Sequence, residues 1–594
     1  MPPRRARRTG LSRLGPYFRG KRGRLALVGV TAALSAAAPV AGWHLVRDAV
    51  DHGIANGDRD RLGLAVLAYV GVNAAAWLLG TVTWLGLARA GQQAVLDLRR
   101  DLFDHLTSLS LRYFSKQKAG WIIARLTSDV DALSDVLSQG LTTLVVNTLT
   151  LVAAIAGLFL LDWRLGLVAL VVLPPGLLVT RWFQRTSHAA FSNVRTRIAA
   201  VTAQLAESVS GMAVIQAFSR ERAFQREFEE LNEANRVANV YAQKLSSFFF
   251  PAIEFLGVVA MGAVLYVGAG FHESGTLTVG TLIAAVGLLQ LLFQPLQELS
   301  ELYGQVQAAS AAMEKICTIL DAEVDIGDRP GARPIGRIDG RLELDRVTFA
   351  YGEEPVLHDL EIVLPAGGCL ALVGESGGGK STTAKLIARF YDPDTGIVRV
   401  DGTDLREIQL ESYRRQLGVV LQDPFLFSGT IADNIRFARP GASDDEVRAV
   451  AAAIGVDRVA ARLSKGLEHV VREGGAGLSA GERQLISIAR ALLADPRILI
   501  LDEATSNIDR PTERLIERAF DTLLEGRTSI IIAHRLSTVR RADEILVVDH
   551  GRIVQRGSER ALLAQEGPFR ELAQTLAERP ASPGPAAAPS LSES

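Results

Sequence analysis

Six stretches of mostly apolar residues, at approximately 25–47, 63–88, 138–161, 165–187, 248–271 and 277–300, constrain this chain more than any other feature. Hydrocarbon offers no partner for a backbone N–H or C=O, so a lone segment crosses it only as a helix that satisfies its own backbone, and about 20 residues are needed. Residues 25–305 are therefore predicted to form a six-helix membrane domain. Arg4, Arg5, Arg7 and Arg8 open a basic run that continues to Arg24. The apolar run behind it is long enough to span, and no small-x-small cleavage pattern follows, which predicts a retained first helix after a basic segment 1–24 rather than a signal peptide.

The gaps between the spans alternate. Those at 49–62, 162–164 and 272–276 are short, whereas 89–137 and 188–247 are long, helical in pattern and rich in Arg and Lys. Positive charge marks the cytoplasmic side, which puts the long gaps, the N-terminus and the C-terminal half in the cytoplasm. Two places interrupt the long gaps. Phe114 to Gly120 breaks a helix just before Ile122 to Asp131, and Gly211 to Phe218 is a short apolar patch among charges. Each reads either as a knob that docks on another domain or as a plain surface turn.

Inside the spans, Pro174, Pro175 and Pro251 each remove a ladder hydrogen bond and are candidates for kinks. Glu254 is a carboxylate one or two turns into the fifth span; it reads as a substrate- or proton-interacting acid or as an interfacial or internally paired one. Asn73, Trp77, Trp84 and Gln290 read as packing and interface anchors.

The length of 594 residues exceeds what one hydrophobic core organises, and the 48% of hydrophobic residues is concentrated before residue 305. A net charge of −1 supplies no field for nucleic acid. Cys317 and Cys369, the two cysteines, sit at no metal-ligand spacing and predict reduced thiols. Residues 306–340, with Gly331, Pro334 and Gly336, read as a linker. From 341 to 578 strands and helices alternate, and 579–594 is a Pro/Ala/Ser-rich tail of the kind that stays disordered. The fold class is thus multidomain: a six-helix membrane domain followed by an α/β domain.

That α/β domain carries the chemistry. The apolar strand Leu370 to Val373 runs into Gly374-Glu375-Ser376-Gly377-Gly378-Gly379-Lys380-Ser381-Thr382 and then a helical pattern. This matches the phosphate loop G-x-x-x-x-G-K-[ST] in its required strand–loop–helix setting. Glycines let backbone N–H groups close around phosphate at a helix N-terminus, Lys380 reaches the terminal phosphates, and the Ser381 hydroxyl can ligate Mg²⁺. A second strand, Ile498 to Leu501, ends in Asp502-Glu503. Carboxylates at a strand's carboxyl end lie near such a loop, so Asp502 suits the magnesium shell and Glu503 suits the attacking water.

With these two motifs in hand the chain resembles an ATP-binding-cassette (ABC) half-transporter of the exporter type over nearly its whole length. Leu478-Ser479-Ala480-Gly481-Glu482 resembles that family's LSGGQ signature. The resemblance implies an adenine-stacking role for Tyr351, and for Gln422 a role in sensing magnesium and contacting the membrane domain. It makes Ser506 to Asp509 the D-loop, with Asp509 at the nucleotide, and His534 the switch histidine that donates to the γ-phosphate. It implies that Ser479 and Gly481 touch the ATP of the opposite subunit, so the chain works as an obligate dimer with ATP and Mg²⁺. The breaks at 114–120 and 211–218 become coupling helices, the second docking on the partner's ATPase domain. Val470 to Gly475 resembles the exporter loop before the signature.

Two departures stand out. Ala480 replaces a glycine and Glu482 a glutamine, while the serine hydroxyl and the Gly481 backbone are kept. With Glu503 intact, homodimer and heterodimer both stay open. The resemblance implies ATP-driven export, the mostly apolar spans suit a drug, lipid or peptide, and the Ala/Arg/Gly-heavy usage without a targeting sequence points to a bacterial plasma membrane; the rival readings are an importer with exporter architecture and a cassette ATPase that does not transport.

Overall fold

The computed structural model describes residues 10–502, 510–533 and 535–578. The tail 579–594, the arginines at 4–8 and the positions Glu503, Asp509 and His534 lie outside the described residues. Contacts divide the chain into two units: Met1–Thr107 with Ala119–Ala322, and Ser108–Lys118 with Glu323–Ser594.

Among the described residues the first unit holds six helices long and apolar enough to cross a membrane, Gly23–Ile54, Arg59–Ser108, Ala119–Leu161, Trp163–Ser210, Glu221–Glu273 and Val279–Leu320. The fifth has 53 residues. At a rise of about 1.5 Å per residue it is roughly 80 Å long, well over twice the hydrocarbon thickness, so its polar half stands outside the membrane. Its helix and those of the fourth and sixth spans are continuous through Pro174, Pro175, Pro251 and Pro295.

Lipid between helices is as apolar as leucine, so membrane helices associate by close packing at small residues. The first helix does this twice. A Cβ placed on Gly157 would lie 2.5 Å from Val40, and one on Gly287 2.2 Å from the Trp43 ring. These two glycines are the grooves into which the first helix fits. At the N-terminus of the sixth helix, the Asp51 carboxylate accepts from the Gly280 N–H at 2.8 Å and from the Thr278 hydroxyl, capping one helix with a side chain from another. The second helix is the opposite case. Only 6% of its apolar window is buried, and Trp77 and Trp84 stand exposed, as on a lipid-facing helix.

The linker expected from residue 306 is corrected by the sixth helix, which runs to Leu320. Its extension stays helical because Ala309, Ala312, Met313, Ile316 and Ile319 recur at helical spacing and are buried. The interruptions at 114–120 and 211–218 are real. A short helix Leu111–Lys116 is separated by extended Gln117 from Ala119–Leu126, and a short helix Met212–Ala217 sits between Gly211 and Phe218.

In the second unit β1 (Leu342–Ala350), β2 (Pro355–Leu364), β4 (Thr395–Val400) and β5 (Thr403–Asp404) form an antiparallel sheet in the order β2-β1-β4-β5. A six-stranded sheet, β12-β11-β3-β10-β9-β6, is built from β3 (Cys369–Val373), β6 (Leu417–Val420), β9 (Ile498–Asp502), β10 (Thr528–Ile532), β11 (Glu544–Asp549) and β12 (Arg552–Gly557). All its pairs are parallel except β11 with β12. The two-residue strands β7 (Gly429–Thr430) and β8 (Val470–Val471) pair separately.

Alternation explains why the central strands are continuously apolar. On β3, Leu370 and Leu372 enter the core shared with the antiparallel sheet, while Ala371 and Val373 enter the core on the other face. Ile498 and Ile500 against Leu499 and Leu501 on β9, and Ile530 and Ile532 against Ile531 on β10, divide in the same way. A sheet covered on both faces demands this, with about 1.5–3 kcal/mol for each such side chain removed from water.

Candidate nucleotide-binding site

The carboxyl ends of β3, β10 and β9 point to one edge of the sheet, where ligands of open α/β folds bind. The register holds them level, with Ile532 opposite both Leu372 and Asp502. From β3 the chain turns through Gly374–Gly379 into the helix Lys380–Ile387. The turn needs glycine for two distinct reasons. At Gly374 a Cβ would stand 2.1 Å from the Val548 carbonyl oxygen, and Gly379, at φ 106°, would drive one to 2.6 Å from Leu357. The helix N-terminus behind them aims its free N–H groups at the loop.

Lys380 is 5% exposed, and its ammonium donates to the carbonyls of Gly374 and Glu375 at 2.8 and 2.6 Å. Burial lowers its pKa, against the opposing pull of Asp502 and Glu375. The lysine thus spans the mouth of the loop, where a phosphate can replace the two carbonyls. The Ser381 hydroxyl donates to Asp502 Oδ2 at 3.3 Å, so the two motifs meet. A hydroxyl and a carboxylate side by side are hard oxygen donors of the kind Mg²⁺ takes, and among the described residues no set of three His, Cys, Asp or Glu forms a cage. A magnesium ion there would draw its remaining ligands from phosphate and water.

Tyr351, just past β1, shares a hydrogen bond at 3.2 Å between its hydroxyl and that of Thr382, and the Lys385 ammonium sits 5.7 Å from its ring centre. Gln422 follows β6 and is exposed. Ser376, Gly377 and Gly378 complete the loop, with the Gly378 N–H donating to the Glu375 carbonyl at 3.2 Å.

The signature segment forms the start of the helix Ala480–Leu493, with Ser479 as its N-cap. The Ser479 hydroxyl accepts from the Glu482 N–H at 3.2 Å, and the Glu482 carboxylate accepts from the Ser479 N–H at 2.8 Å. This capping box gives the departure at Glu482 a physical reason: a carboxylate at the third helical position also favours the positive end of the helix. Gly481 is buried in the first turn.

Within the membrane unit a further carboxylate is held by side chains that sequence pattern alone does not pair with it. Glu298, at the end of the sixth span, accepts from Asn147 Nδ2 at 2.7 Å and from Gln294 Nε2 at 2.9 Å. A glutamine-rich face around it was the available signal. Glu254 is exposed on the fifth helix and Gln290 on the sixth, while Asn73 donates to the Tyr69 carbonyl of its own helix at 2.8 Å.

Two family models match the chain: an ABC transporter transmembrane region over residues 25–296 and an ABC transporter model over 357–506. The chain is 38% identical over 513 residues to a fatty acid ABC transporter ATP-binding/permease protein of Mycobacterium tuberculosis, covering 86% of this chain and 80% of that protein. It is 35% identical over 484 residues to an ATP-dependent lipid A-core flippase of Syntrophus aciditrophicus, covering 82% and 80%. Among solved structures it resembles a bacterial Atm1-family ABC exporter with ATP bound, with a TM-score of 0.80 and 29% identity, covering 94% of this chain and 99% of that one.

Proposed function

The chain belongs to the ABC transporter family, a multi-pass membrane protein whose ATPase drives transport, and from that premise we propose that it exports a hydrophobic or amphipathic compound by alternating access as a dimer. The observation that carries this reading is the fusion, in one chain, of six apolar helices with a phosphate loop followed by a capped signature helix.

In this reading the phosphates of ATP displace the carbonyls that Lys380 holds, and the helix Lys380–Ile387 presents its N–H groups to them. Ser381 and Asp502 would hold Mg²⁺, with Gln422 sensing it, and the ion would supply positive charge against the phosphates. Glu503 orients the attacking water as base, His534 donates to the γ-phosphate, and Asp509 contributes to binding the nucleotide. Ser479 and Gly481 close on the ATP of the other subunit, so that each nucleotide joins two chains and hydrolysis releases them. A homodimer satisfies this reading, and so does a heterodimer.

The relatives named for fatty acid and for lipid A-core support a lipid-like substrate over a small ion. Glu254, a carboxylate exposed in a membrane helix, reads as lining the pathway, since hydrocarbon tolerates such a group poorly. We assign the protein to a bacterial plasma membrane with its ATPase in the cytoplasm, in keeping with the arginine-rich long gaps. Inside-out vesicles should accumulate a lipophilic probe when ATP is added, and Glu503→Gln vesicles should not. Uptake into right-side-out vesicles loaded with ATP would reverse the assigned direction.

A further inference from the structure

The short helix Leu111–Lys116 belongs to the same unit as the ATPase fold. Its N-cap, Ser110, is 7% exposed and donates its hydroxyl to Asp325 at 3.2 Å. Two residues on, the Arg112 guanidinium lies 5.9 Å from the ring centre of Phe349 and 5.9 Å from that of Tyr391, within reach of a cation–π contact with both.

Those two rings form a triangle with Tyr351. Phe349 and Tyr391 are 5.3 Å apart, Phe349 and Tyr351 5.0 Å at 85°, and Tyr351 and Tyr391 5.3 Å at 87°. The near-perpendicular contacts are the edge-to-face geometry that the ring quadrupole favours, and they fix the plane of Tyr351 rather than merely fill space. Phe349 and Tyr391 are buried at 0% and 3% exposure, so neither can swing away to accommodate a different tilt.

We propose that Arg112 is a positioning residue for base recognition: through Phe349 and Tyr391 it sets the plane of Tyr351, and a base stacked on Tyr351 is in turn felt at the helix Leu111–Lys116. The inference rests on the reading of Tyr351 as the platform for adenine. Coupling between two sites is reciprocal, so a base that steadies Tyr351 must steady Arg112 by the same free energy, and losing Arg112 must weaken base recognition. The phosphates are held elsewhere, by Lys380 and the loop, and are not part of this chain of contacts. The effect therefore depends on which base the nucleotide carries.

The test compares hydrolysis of ATP and of CTP by the full-length protein in lipid nanodiscs. Wild type is expected to show a lower KM for ATP, because a purine offers the larger face. In Arg112→Ala and in Tyr391→Leu the ratio of the two KM values should fall by about two- to fivefold, with the change in KM rather than kcat. Tyr391→Phe, which keeps the ring, should hold the ratio, and Arg112→Lys, which keeps the cation, should restore part of it and serves if Arg112→Ala does not fold. A wild-type ratio near one, or KM values for ATP and CTP that rise together in Arg112→Ala, overturns the proposal. Tyr351→Ala separates the two readings: if it leaves the ratio intact the platform itself is wrong, and if it abolishes a ratio that Arg112→Ala preserves, only the role of Arg112 falls.

Discussion

Ser381 and Asp502, 121 residues apart in the chain, meet through a hydrogen bond of 3.3 Å from the hydroxyl to carboxylate Oδ2. The helix after β3 supplies one and the end of β9 the other, although β10 lies between those strands. If the pair holds a magnesium ion with the nucleotide, Ser381→Ala and Asp502→Asn each remove a donor to that ion. Affinity for MgATP should fall about ten- to a hundredfold in either variant, the range for losing a bond to a charged group. Binding of ATP in excess EDTA should change little. Equal losses with and without magnesium would rule out the metal role for this pair.

Lys380 gives a pH dependence whose sign follows from its burial. Burial holds its pKa below that of an ordinary lysine, so in the nucleotide-free protein the ammonium gives up its proton sooner as pH rises. ATP favours the charged form. Affinity is accordingly full at low pH and declines as pH climbs through the lowered pKa, with a slope that approaches about tenfold per pH unit. Titration of ATP binding from neutral to alkaline pH should show this decline, and Lys380→Arg, charged throughout, should flatten it. A wild-type affinity that is flat over the same range contradicts the assignment.

The capping box of Ser479 and Glu482 predicts that the unusual glutamate is structural support for the serine. Glu482→Gln keeps an acceptor for the Ser479 N–H and should retain most ATPase activity. Glu482→Ala leaves that N–H without its partner, at a cost of about 0.5–2 kcal/mol typical of a lost cap, and loosens the hydroxyl meant for the opposite nucleotide. Steady-state ATPase at saturating ATP should fall several-fold in Glu482→Ala. Activity at the wild-type level in Glu482→Ala, with Ser479→Ala inactive, would show that the serine needs no such support.

What could be read from the chain beforehand divides by the distance over which each feature is determined. The phosphate loop was legible because its glycines, lysine and serine do their work within one turn, and the strands Leu370–Val373 and Ile498–Leu501 because burial on both faces writes itself as an unbroken apolar run. The helical extension to Leu320 was hidden behind polar residues whose buried partners, such as Met313 and Ile316, are visible only at helical spacing. Asp51 and Glu298 were missed for a different reason. Asp51 caps a helix that starts more than two hundred residues later, and Glu298 is satisfied by Asn147 from the third membrane helix, 151 positions away. Nothing local marks Asp51, and only the glutamines on its own helix face, such as Gln294, mark Glu298. The capping box at Ser479 is legible in the sequence, since serine with glutamate three positions on is its pattern.

The seam between the first and sixth membrane helices gives a stability prediction with an internal control. In a helix, Gly→Ala normally gains about 0.5–1 kcal/mol by restricting the unfolded chain and improving helix propensity. Gly262, in the fifth helix, has no atom within 4 Å of where a Cβ would go, so Gly262→Ala should leave thermal stability unchanged or raise it. At Gly287 the same methyl would stand 2.2 Å from the Trp43 ring, and the indole cannot remain where it is. Overpacking of this kind costs about 1–3 kcal/mol, which exceeds the propensity gain, so Gly287→Ala should unfold at a lower temperature than wild type in detergent. Trp43→Leu alone leaves a gap, yet in combination with Gly287→Ala it relieves the clash, and the double variant should be more stable than the sum of the two single changes implies. Additive losses would mean that the two residues do not meet across this seam.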